Sequence, residues 1–275
     1  MPYPLNTPLG RFGIETLEEG PARCVATVPV HGMLNPLTGA PTISTLALLV
    51  DHIGGLINHR HRQPHEWTVT SELSLEVCPD AVDVVTRAPA TPVTGVSLPL
   101  GRNAASALGQ CELRSGDDLI ATATVRSFYI SAPAELTSWP DSPQATLPGP
   151  TLRELMALDV AETGGAATIL TQRDDPALNN SVGAVHGGIS SMGLELAGSA
   201  ELNRNADGAP YRTASLRVNF LRPFHGGPAA HYHATQAHLG RSSGVAETRA
   251  VGSDGRVAML GRLTAYRAAT APSAG

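Results

Sequence analysis

The sequence contains no lysine, since all 19 of its strongly basic side chains are arginine. Chemistry that needs a lysine amine is therefore excluded, including Schiff-base formation, pyridoxal phosphate attachment and the P-loop. Cysteine is also scarce: Cys24, Cys78 and Cys111 form neither a CxxC pair nor an even-numbered framework. This usage predicts reduced thiols that fill the core of a cytoplasmic protein.

Aromatic residues make up 4% of the chain, so the core must be built from small aliphatic side chains. No apolar run approaches the length of about 18 residues that a membrane span needs, and the first ten residues lack a signal-peptide pattern. The net charge of −5 and the pI near 6.0 argue against a nucleic-acid partner. These features predict a soluble, cytoplasmic protein with a small-molecule partner.

The chain has 275 residues, which is enough for two small domains, and Pro, Ser and Ala cluster in residues 131–150 without a hydrophobic period. We interpret this segment as a linker. The sequence therefore predicts a first domain over 1–130, a linker over 131–150, a second domain over 151–268 and a disordered tail over 269–275.

The two halves resemble each other at a fixed spacing. A shift of 144 residues aligns Asn35 with Asn179, Gly39 with Gly183, Gly54 with Gly198, Ser71 with Ser215, and Pro79 with Pro223. Further along, the Gly-Arg pair at 101–102 aligns with that at 240–241 at an offset of 139. This order of matched turn residues predicts an internal duplication, with shorter loops in the second half.

Each half has the pattern of a short strand pair, one apolar helix and four further strands. The helices are predicted at about 41–58, with Pro41 in the first turn, and at about 187–203. The later segments alternate in hydrophobicity, which is typical of antiparallel strands. The sequence thus predicts an α+β architecture rather than a doubly wound parallel sheet.

The most specific segment is Asn180-Ser-Val-Gly-Ala-Val-His186-Gly187-Gly188, followed nine residues after the histidine by Glu195. This pattern resembles the hot-dog-fold acyl-CoA thioesterase superfamily, and its phenylacetyl-CoA thioesterase-like branch in particular. The resemblance implies a tandem double hot-dog, in which each half wraps a long central helix in an antiparallel sheet and the halves form an intramolecular pseudo-dimer. It also implies hydrolysis of an acyl-CoA thioester.

The motif is also suited to this chemistry on physical grounds. Two glycines at a helix start leave backbone N–H groups free to stabilise an oxyanion, and the Asn180 amide can add a second donor. Glu195 lies about 13 Å further along the same helix, so it cannot reach a carbonyl bound at Gly187. In the resembled family, the partner helix supplies the carboxylate.

The offset of 144 identifies that carboxylate as Asp51. Around Glu195, by contrast, the counterparts of His186 and Gly187 are Thr42 and Ile43, so that site is degraded or differently specialised. The predicted catalytic residues are Asp51, Asn180, His186, Gly187 and Glu195. The predicted substrate-binding residues are Thr42, Ser71, Gly188 and Thr213, of which Ser71 and Thr213 are candidates for holding water.

In this hypothesis, Asp51 activates water as a general base or attacks the thioester directly to give a mixed anhydride. His186 orients the helix start. No cofactor is expected, since CoA enters as part of the substrate. The histidines at 59, 61 and 65 have no acidic or cysteine partner, and those at 231 and 233 have no evident third ligand, so no metal site is predicted.

Two other functions stay open. A non-catalytic acyl-CoA-binding sensor or scaffold is compatible with the loss of motif residues in one half. A hot-dog hydratase or dehydratase is the weaker alternative, because the motif Gly-Asp-x-Asn-Pro-x-x-His is absent. Neither acyl-chain preference nor assembly follows from the sequence, although a homodimer of double-hot-dog chains is compatible with it.

Overall fold

The computed structural model describes residues 3–30, 32–134, 147–160, 169–204 and 208–268. Of the predicted linker, residues 135–146 lie outside the described residues, and so does the whole predicted tail at 269–275.

The first half begins with a short helix and a strand pair and continues with a long helix and four strands, with one further helix between the first two of these strands. The elements are α1 (Pro8–Arg11), β1 (Glu15–Glu19), β2 (Cys24–Val28), α2 (Thr45–His59), β3 (Glu66–Val77), α3 (Ala81–Arg87), β4 (Val93–Arg102), β5 (Ser106–Ser115) and β6 (Asp118–Ser131).

The second half repeats this order without a counterpart of α3. Its elements are α4 (Leu152–Leu155), β7 (Leu158–Val160), β8 (Ile169–Gln172), a 3-10 turn (Pro176–Leu178), α5 (Gly187–Asn203), β9 (Tyr211–Phe220), β10 (His231–Leu239), β11 (Ser243–Val251) and β12 (Val257–Arg267). The predicted bounds of the second long helix agree with α5.

The twelve strands form one antiparallel sheet in the order β1-β2-β4-β5-β6-β3-β9-β12-β11-β10-β8-β7. The halves meet at the β3–β9 pair, where Leu73 lies opposite Val218 and Ser74 lies opposite Arg217. Adding 144 to the number of Leu73 gives Arg217, and subtracting 144 from that of Val218 gives Ser74, so the repeat converts one pair into the other. The register of the central strands therefore has the same spacing as the internal repeat.

Each long helix packs on the sheet of its own half, and the two helices contact each other. The glycines shared by the repeat permit these close approaches. A Cβ on Gly54 would lie 2.5 Å from Val125 Cγ2, and one on Gly198 would lie 2.9 Å from Thr248 Cγ2. The core consists mainly of Leu, Ile, Val and Ala, as the shortage of aromatics predicts. No helix within the described residues is long and apolar enough to span a membrane.

The helix α3 was not predicted, yet it explains why the offset between the halves changes. Fifteen residues separate β3 from β4 (78–92), whereas ten separate β9 from β10 (221–230). The difference of five residues equals the drop in offset from 144 to 139. The predicted loop shortening is therefore the absence of this helix from the second half.

The predicted start of the first long helix was wrong, because α2 begins at Thr45 rather than at Pro41. Pro41 instead forms an isolated antiparallel bridge with Leu34, and the Thr42 N–H donates to the Met33 carbonyl. These β-type hydrogen bonds hold Pro41 and Thr42 outside the helix. The Thr42 hydroxyl then accepts from the Ser44 N–H at 3.0 Å, and Ser44, the N-cap of α2, makes no side-chain capping bond.

Candidate active site

The beginning of each long helix lies against the middle of the other, so α2 and α5 run antiparallel. The contact is very close at Gly188, where a Cβ would lie 2.7 Å from the Leu48 Cα atom. On the opposite side, the Asn35 amide donates to the Leu196 carbonyl at 2.9 Å. This crossing places a carboxylate of one helix at the start of the other on both sides of the molecule.

Asp51 lies on α2 at the start of α5. Its side chain is 7% exposed. The Thr70 hydroxyl, on β3, donates to Asp51 Oδ1 at 3.0 Å. The other oxygen, Oδ2, faces Gly187, since a Cβ on that glycine would lie 2.9 Å from it. Among the described residues, the His186 ring is the one possible hydrogen-bond donor to Oδ2. Its protonation decides whether it donates.

His186 precedes α5 and caps it. Its Nδ1 accepts from the Gly188 N–H at 3.1 Å. Burial lowers the pKa of this imidazole, while the neighbouring Asp51 carboxylate acts in the opposite direction. A neutral ring whose Nδ1 lone pair accepts from Gly188 cannot donate from that nitrogen. The 3.4 Å separation between His186 Nδ1 and Asp51 Oδ2 is therefore a contact between two acceptors rather than an ion pair.

The start of α5 offers a donor at the same place. The Gly187 N–H belongs to the first helical residue, so it has no acceptor within the helix. The absence of a side chain at Gly187 lets another group approach both this N–H and Asp51 Oδ2. A Cβ there would also lie 3.0 Å from the Phe220 ring.

Asn180 borders the same cavity from the loop before α5. Its Oδ1 accepts from the backbone N–H groups of Val182 at 3.1 Å and Ala184 at 3.2 Å. Because these bonds occupy the carbonyl end, the amide NH₂ is the end able to donate to a ligand. The loop also contains Gly183 at φ +79°, and its repeat partner Gly39 has φ +68°, so the glycine alignment reflects a shared left-handed turn.

A cavity of about 410 Å³ opens at Asp51. This volume falls within the range of small-molecule sites. Its wall combines a few polar groups with many apolar ones. The apolar side chains that line it are Trp67, Val69, Val182, Val185, Phe220, Leu221, Phe224 and Met259.

Glu195 occupies the equivalent place on the other side and is 4% exposed. The Thr42 hydroxyl donates to its Oε2 at 3.1 Å, and the Thr213 hydroxyl donates to its Oε1 at 2.6 Å. Burial raises the pKa of Glu195, although hydrogen bonds from Thr213, Thr42 and Ser199 oppose the shift. Both oxygens of this carboxylate are thus already bonded within the protein.

The space around Glu195 is also small. The adjoining cavity has a volume of about 120 Å³. Ile43, at the position equivalent to Gly187, is 5% exposed and lines it. Val82 of α3 forms another part of the wall, and the Asp83 carboxylate beside it pairs with Arg212 at 2.6 Å. The helix present in the first half alone therefore covers the Glu195 side.

The structure brings Asp51, Asn180, His186 and Gly187 to one cavity and Glu195, Thr42 and Thr213 to the other. Gly188 supports the helix crossing. Ser71 is placed elsewhere, since its hydroxyl donates to the Arg126 carbonyl at 3.2 Å. Sequence reasoning missed Thr70, the hydroxyl that contacts Asp51.

A pair of bulges accounts for this miss. The register shifts between Thr70 and Glu72 on β3, and between Thr213 and Ser215 on β9. Thr70 and Thr213 both precede their bulges, but they lie 143 residues apart instead of 144. Searching one residue to either side of the offset would have found the matched threonine pair.

No group of three or more His, Cys, Asp or Glu side chains with the geometry of a metal site occurs in the described part of the chain. The rings of His231 and His233 do lie on one strand face, with centroids 5.4 Å apart. All three cysteines are unpaired, and Cys24 and Cys111 are buried.

Residues 182–259 match the family model of the thioesterase superfamily, a stretch that contains His186, Gly187, Glu195 and the lining residues at 220–224. The predicted resemblance to the hot-dog thioesterases is confirmed. No curated protein matches the chain.

Among solved structures, a candidate thioesterase from Novosphingobium aromaticivorans is similar at a TM-score of 0.58 and 14% identity, over 92% of this chain and 98% of that one. An acyl-CoA thioesterase II from Mycobacterium marinum is similar at a TM-score of 0.57 and 11% identity, over 95% and 98% of the two chains. A hot-dog protein of unknown function from Alicyclobacillus acidocaldarius gives 0.54 and 15%, over 94% and 97%. The hot-dog fold thus extends over nearly the whole chain.

Proposed function

We propose that the protein is an acyl-CoA thioesterase with one active site, formed by Asp51 of the first half and the start of α5 in the second. The match to the thioesterase superfamily and the similarity to an acyl-CoA thioesterase II support the reaction class. The observation that carries the proposal is the unsatisfied Asp51 Oδ2, which faces Gly187 in the cavity of about 410 Å³.

A thioester carbonyl placed at the start of α5 accepts a hydrogen bond from the Gly187 N–H, and the Asn180 NH₂ supplies a second donor. These groups stabilise negative charge on the carbonyl oxygen as the tetrahedral intermediate forms. The helix dipole acts in the same direction. The apolar wall holds the acyl group.

Asp51 then acts on water. Its Oδ2 takes one proton as the water oxygen bonds to the carbonyl carbon, while the Thr70 hydroxyl holds Oδ1. Collapse of the intermediate breaks the carbon–sulfur bond, and the proton on Asp51 passes to the departing thiolate. In the alternative route, Oδ2 itself attacks the carbonyl carbon and expels the thiolate, and water hydrolyses the resulting anhydride.

The arrangement of the chain fits this proposal. We infer that the halves act as an intramolecular pseudo-dimer, with domains over 1–130 and 151–268 joined by the segment 131–150. The absence of a cofactor, the cytoplasmic location and the pairing of two chains into a homodimer stay predictions.

The experiment is release of free thiol from a panel of short, medium, long and aryl acyl-CoAs. The wild-type protein is expected to hydrolyse at least one of them. Asp51→Asn should lower kcat/KM for that substrate by about 10³-fold. Asp117→Asn, in the exposed turn between β5 and β6, is the matched control and should retain it.

Binding of the same panel is measured in parallel by calorimetry. Wild-type protein that binds acyl-CoA without releasing thiol would contradict the proposal and indicate the non-catalytic binder. Turnover that survives in Asp51→Asn would retain the reaction but refute the site.

A further inference from the structure

The cavity at Asp51 has an inner end and a mouth, which differ in exposure. Met259 and Phe224 are 1% and 2% exposed, so they form the inner end. Leu221 and Val182 are 50% and 39% exposed, and with the exposed Arg222 they form the mouth. An apolar acyl group is accommodated at the inner end, so the thiol carrier must leave through the mouth.

Arg222 brings an uncompensated positive charge to this mouth. Among the described residues that line the cavity, it is the one arginine and Asp51 is the one acid. Its guanidinium makes no ion pair or hydrogen bond with any residue that the structure describes. Most arginines of the chain behave differently; Arg212 and Arg217, for example, pair with Asp83 and Glu76 at 2.6 and 2.5 Å.

The Glu195 side has no arginine at the position equivalent to Arg222. The offset of 144 relates Arg222 to Cys78, Phe220 to Glu76 and Phe224 to Asp80. The outer cavity there, of about 530 Å³, is lined by Glu76, Asp80 and Asp83 and also by Arg212 and Arg267. Its arginines and acids offset each other, whereas the unpaired Arg222 attracts an anionic carrier to the mouth of the Asp51 cavity.

We infer that Arg222 binds a phosphate group of the pantetheine carrier at the mouth of the Asp51 cavity. This inference rests on the proposed function and specifies which end of the substrate faces outward. An arginine fork suits a phosphate, and an unpaired guanidinium gives up no protein partner to bind one. The same chemistry is presented by CoA and by the phosphopantetheine arm of a carrier protein.

The test compares Arg222→Ala with wild type on three thioesters of one acyl group: the CoA thioester, the 4′-phosphopantetheine thioester and the N-acetylcysteamine thioester, which has no phosphate. We expect Arg222→Ala to lower kcat/KM for the CoA thioester by about tenfold or more, mainly through KM. The N-acetylcysteamine thioester should stay within about twofold, because it has no group for the guanidinium to bind.

The 4′-phosphopantetheine thioester distinguishes the sources of the phosphate. A loss equal to that of the CoA thioester assigns Arg222 to the phosphate that both carriers share, whereas a loss confined to the CoA thioester assigns it to the additional phosphates of CoA. Added salt should raise KM for the CoA thioester in wild type and do so less in the variant.

Arg241→Ala is the matched control. Arg241 is also exposed, but it lies in the turn between β10 and β11 and does not line the Asp51 cavity. It should leave all three thioesters unchanged. Equal losses of all three in Arg222→Ala, or none, would overturn the inference while leaving the thioesterase proposal intact. Failure of wild type to hydrolyse any of them would refute the proposed function instead.

Discussion

Asp51 and Glu195 occupy equivalent places in the two halves, yet their surroundings differ in the one hydrogen bond that governs reactivity. Each carboxylate accepts a hydrogen bond from the hydroxyl of a threonine that precedes a strand bulge. The threonine is Thr70 for Asp51 and Thr213 for Glu195. The residue that precedes the opposite helix then decides the rest. Thr42 accepts from the Ser44 N–H and also donates to Glu195, whereas His186 caps α5 with its Nδ1 lone pair and leaves Asp51 Oδ2 without that donor.

This difference separates a structural carboxylate from a reactive one. A hydroxyl can accept one hydrogen bond and donate another, so Thr42 satisfies both the Ser44 N–H and Glu195. A neutral imidazole nitrogen can only do one of these. Replacing a threonine by a histidine at this one position before the helix thus exposes a carboxylate oxygen to the cavity, and replacing Ile43 by glycine gives a substrate room to reach it.

The largest contrast is expected between the two carboxylates. Asp51→Asn should lower kcat/KM by about 10³-fold, because the general base is lost. Glu195→Gln should stay within about threefold, since both oxygens of Glu195 are already bonded. Steady-state thiol release with one acyl-CoA measures both variants. Comparable losses in the two would show that both sites turn over.

The glycine at the start of α5 gives the next contrast. Gly187→Ala should lower kcat/KM by about 10²-fold, because the new Cβ would lie 2.9 Å from Asp51 Oδ2 and 3.0 Å from the Phe220 ring. Gly55→Ala on α2 is the control, with its nearest atom at 3.9 Å, and should keep full activity and gain some helix stability. Equal activity in the two variants would remove Gly187 from the proposed oxyanion site.

The two threonines are expected to give smaller effects, on kcat for Thr70 and on the free energy of unfolding for Thr213. Thr70→Val should lower kcat about tenfold with KM unchanged, because Asp51 loses the bond that orients it, and Thr70→Ser should restore most of the lost kcat.

Thr213→Val should leave kcat unchanged and reduce the free energy of unfolding by about 1–3 kcal/mol, because a buried carboxylate oxygen of Glu195 loses its donor. Kinetics and denaturant unfolding together separate these outcomes. A change in KM with kcat unchanged for Thr70→Val would contradict a positioning role.

The smallest effect concerns pH. The pKa of Glu195 is raised in the folded state, so the folded protein binds its proton more tightly than the unfolded chain. The stability that this proton contributes is present below the ordinary pKa of 4.5 and is lost as the pH rises through the raised value. Glu195→Gln should remove this loss of folding stability with rising pH, which is at most about 1.4 kcal/mol per pH unit. A difference between variant and wild type that does not change with pH would contradict the assigned shift.

Much of this comparison could be predicted from the sequence, since the repeat spacing alone pairs Asp51 with the start of α5. The helix-start motif also predicted the first residue of α5. These features depend on local residue types and on a spacing that the sheet register preserves.

Other features depend on contacts that no local pattern reveals. The start of α2 is set by a bridge between Leu34 and Pro41, and Thr70 faces Asp51 because of a strand bulge. The closure of the Glu195 side depends on where α3 packs. The charge at the mouth likewise arises from a loop residue, Arg222, whose relation to Asp51 is set by the tertiary fold alone.

We expect the chain to contain one substrate site and not two, and the stoichiometry of binding tests this most directly. Isothermal titration of wild-type protein with a non-hydrolysable thioether analogue of a turned-over acyl-CoA should give one molecule per chain. Gly187→Val, which fills the Asp51 side, should abolish this binding. Two molecules per chain in wild type, or one molecule that still binds to Gly187→Val, would contradict the account.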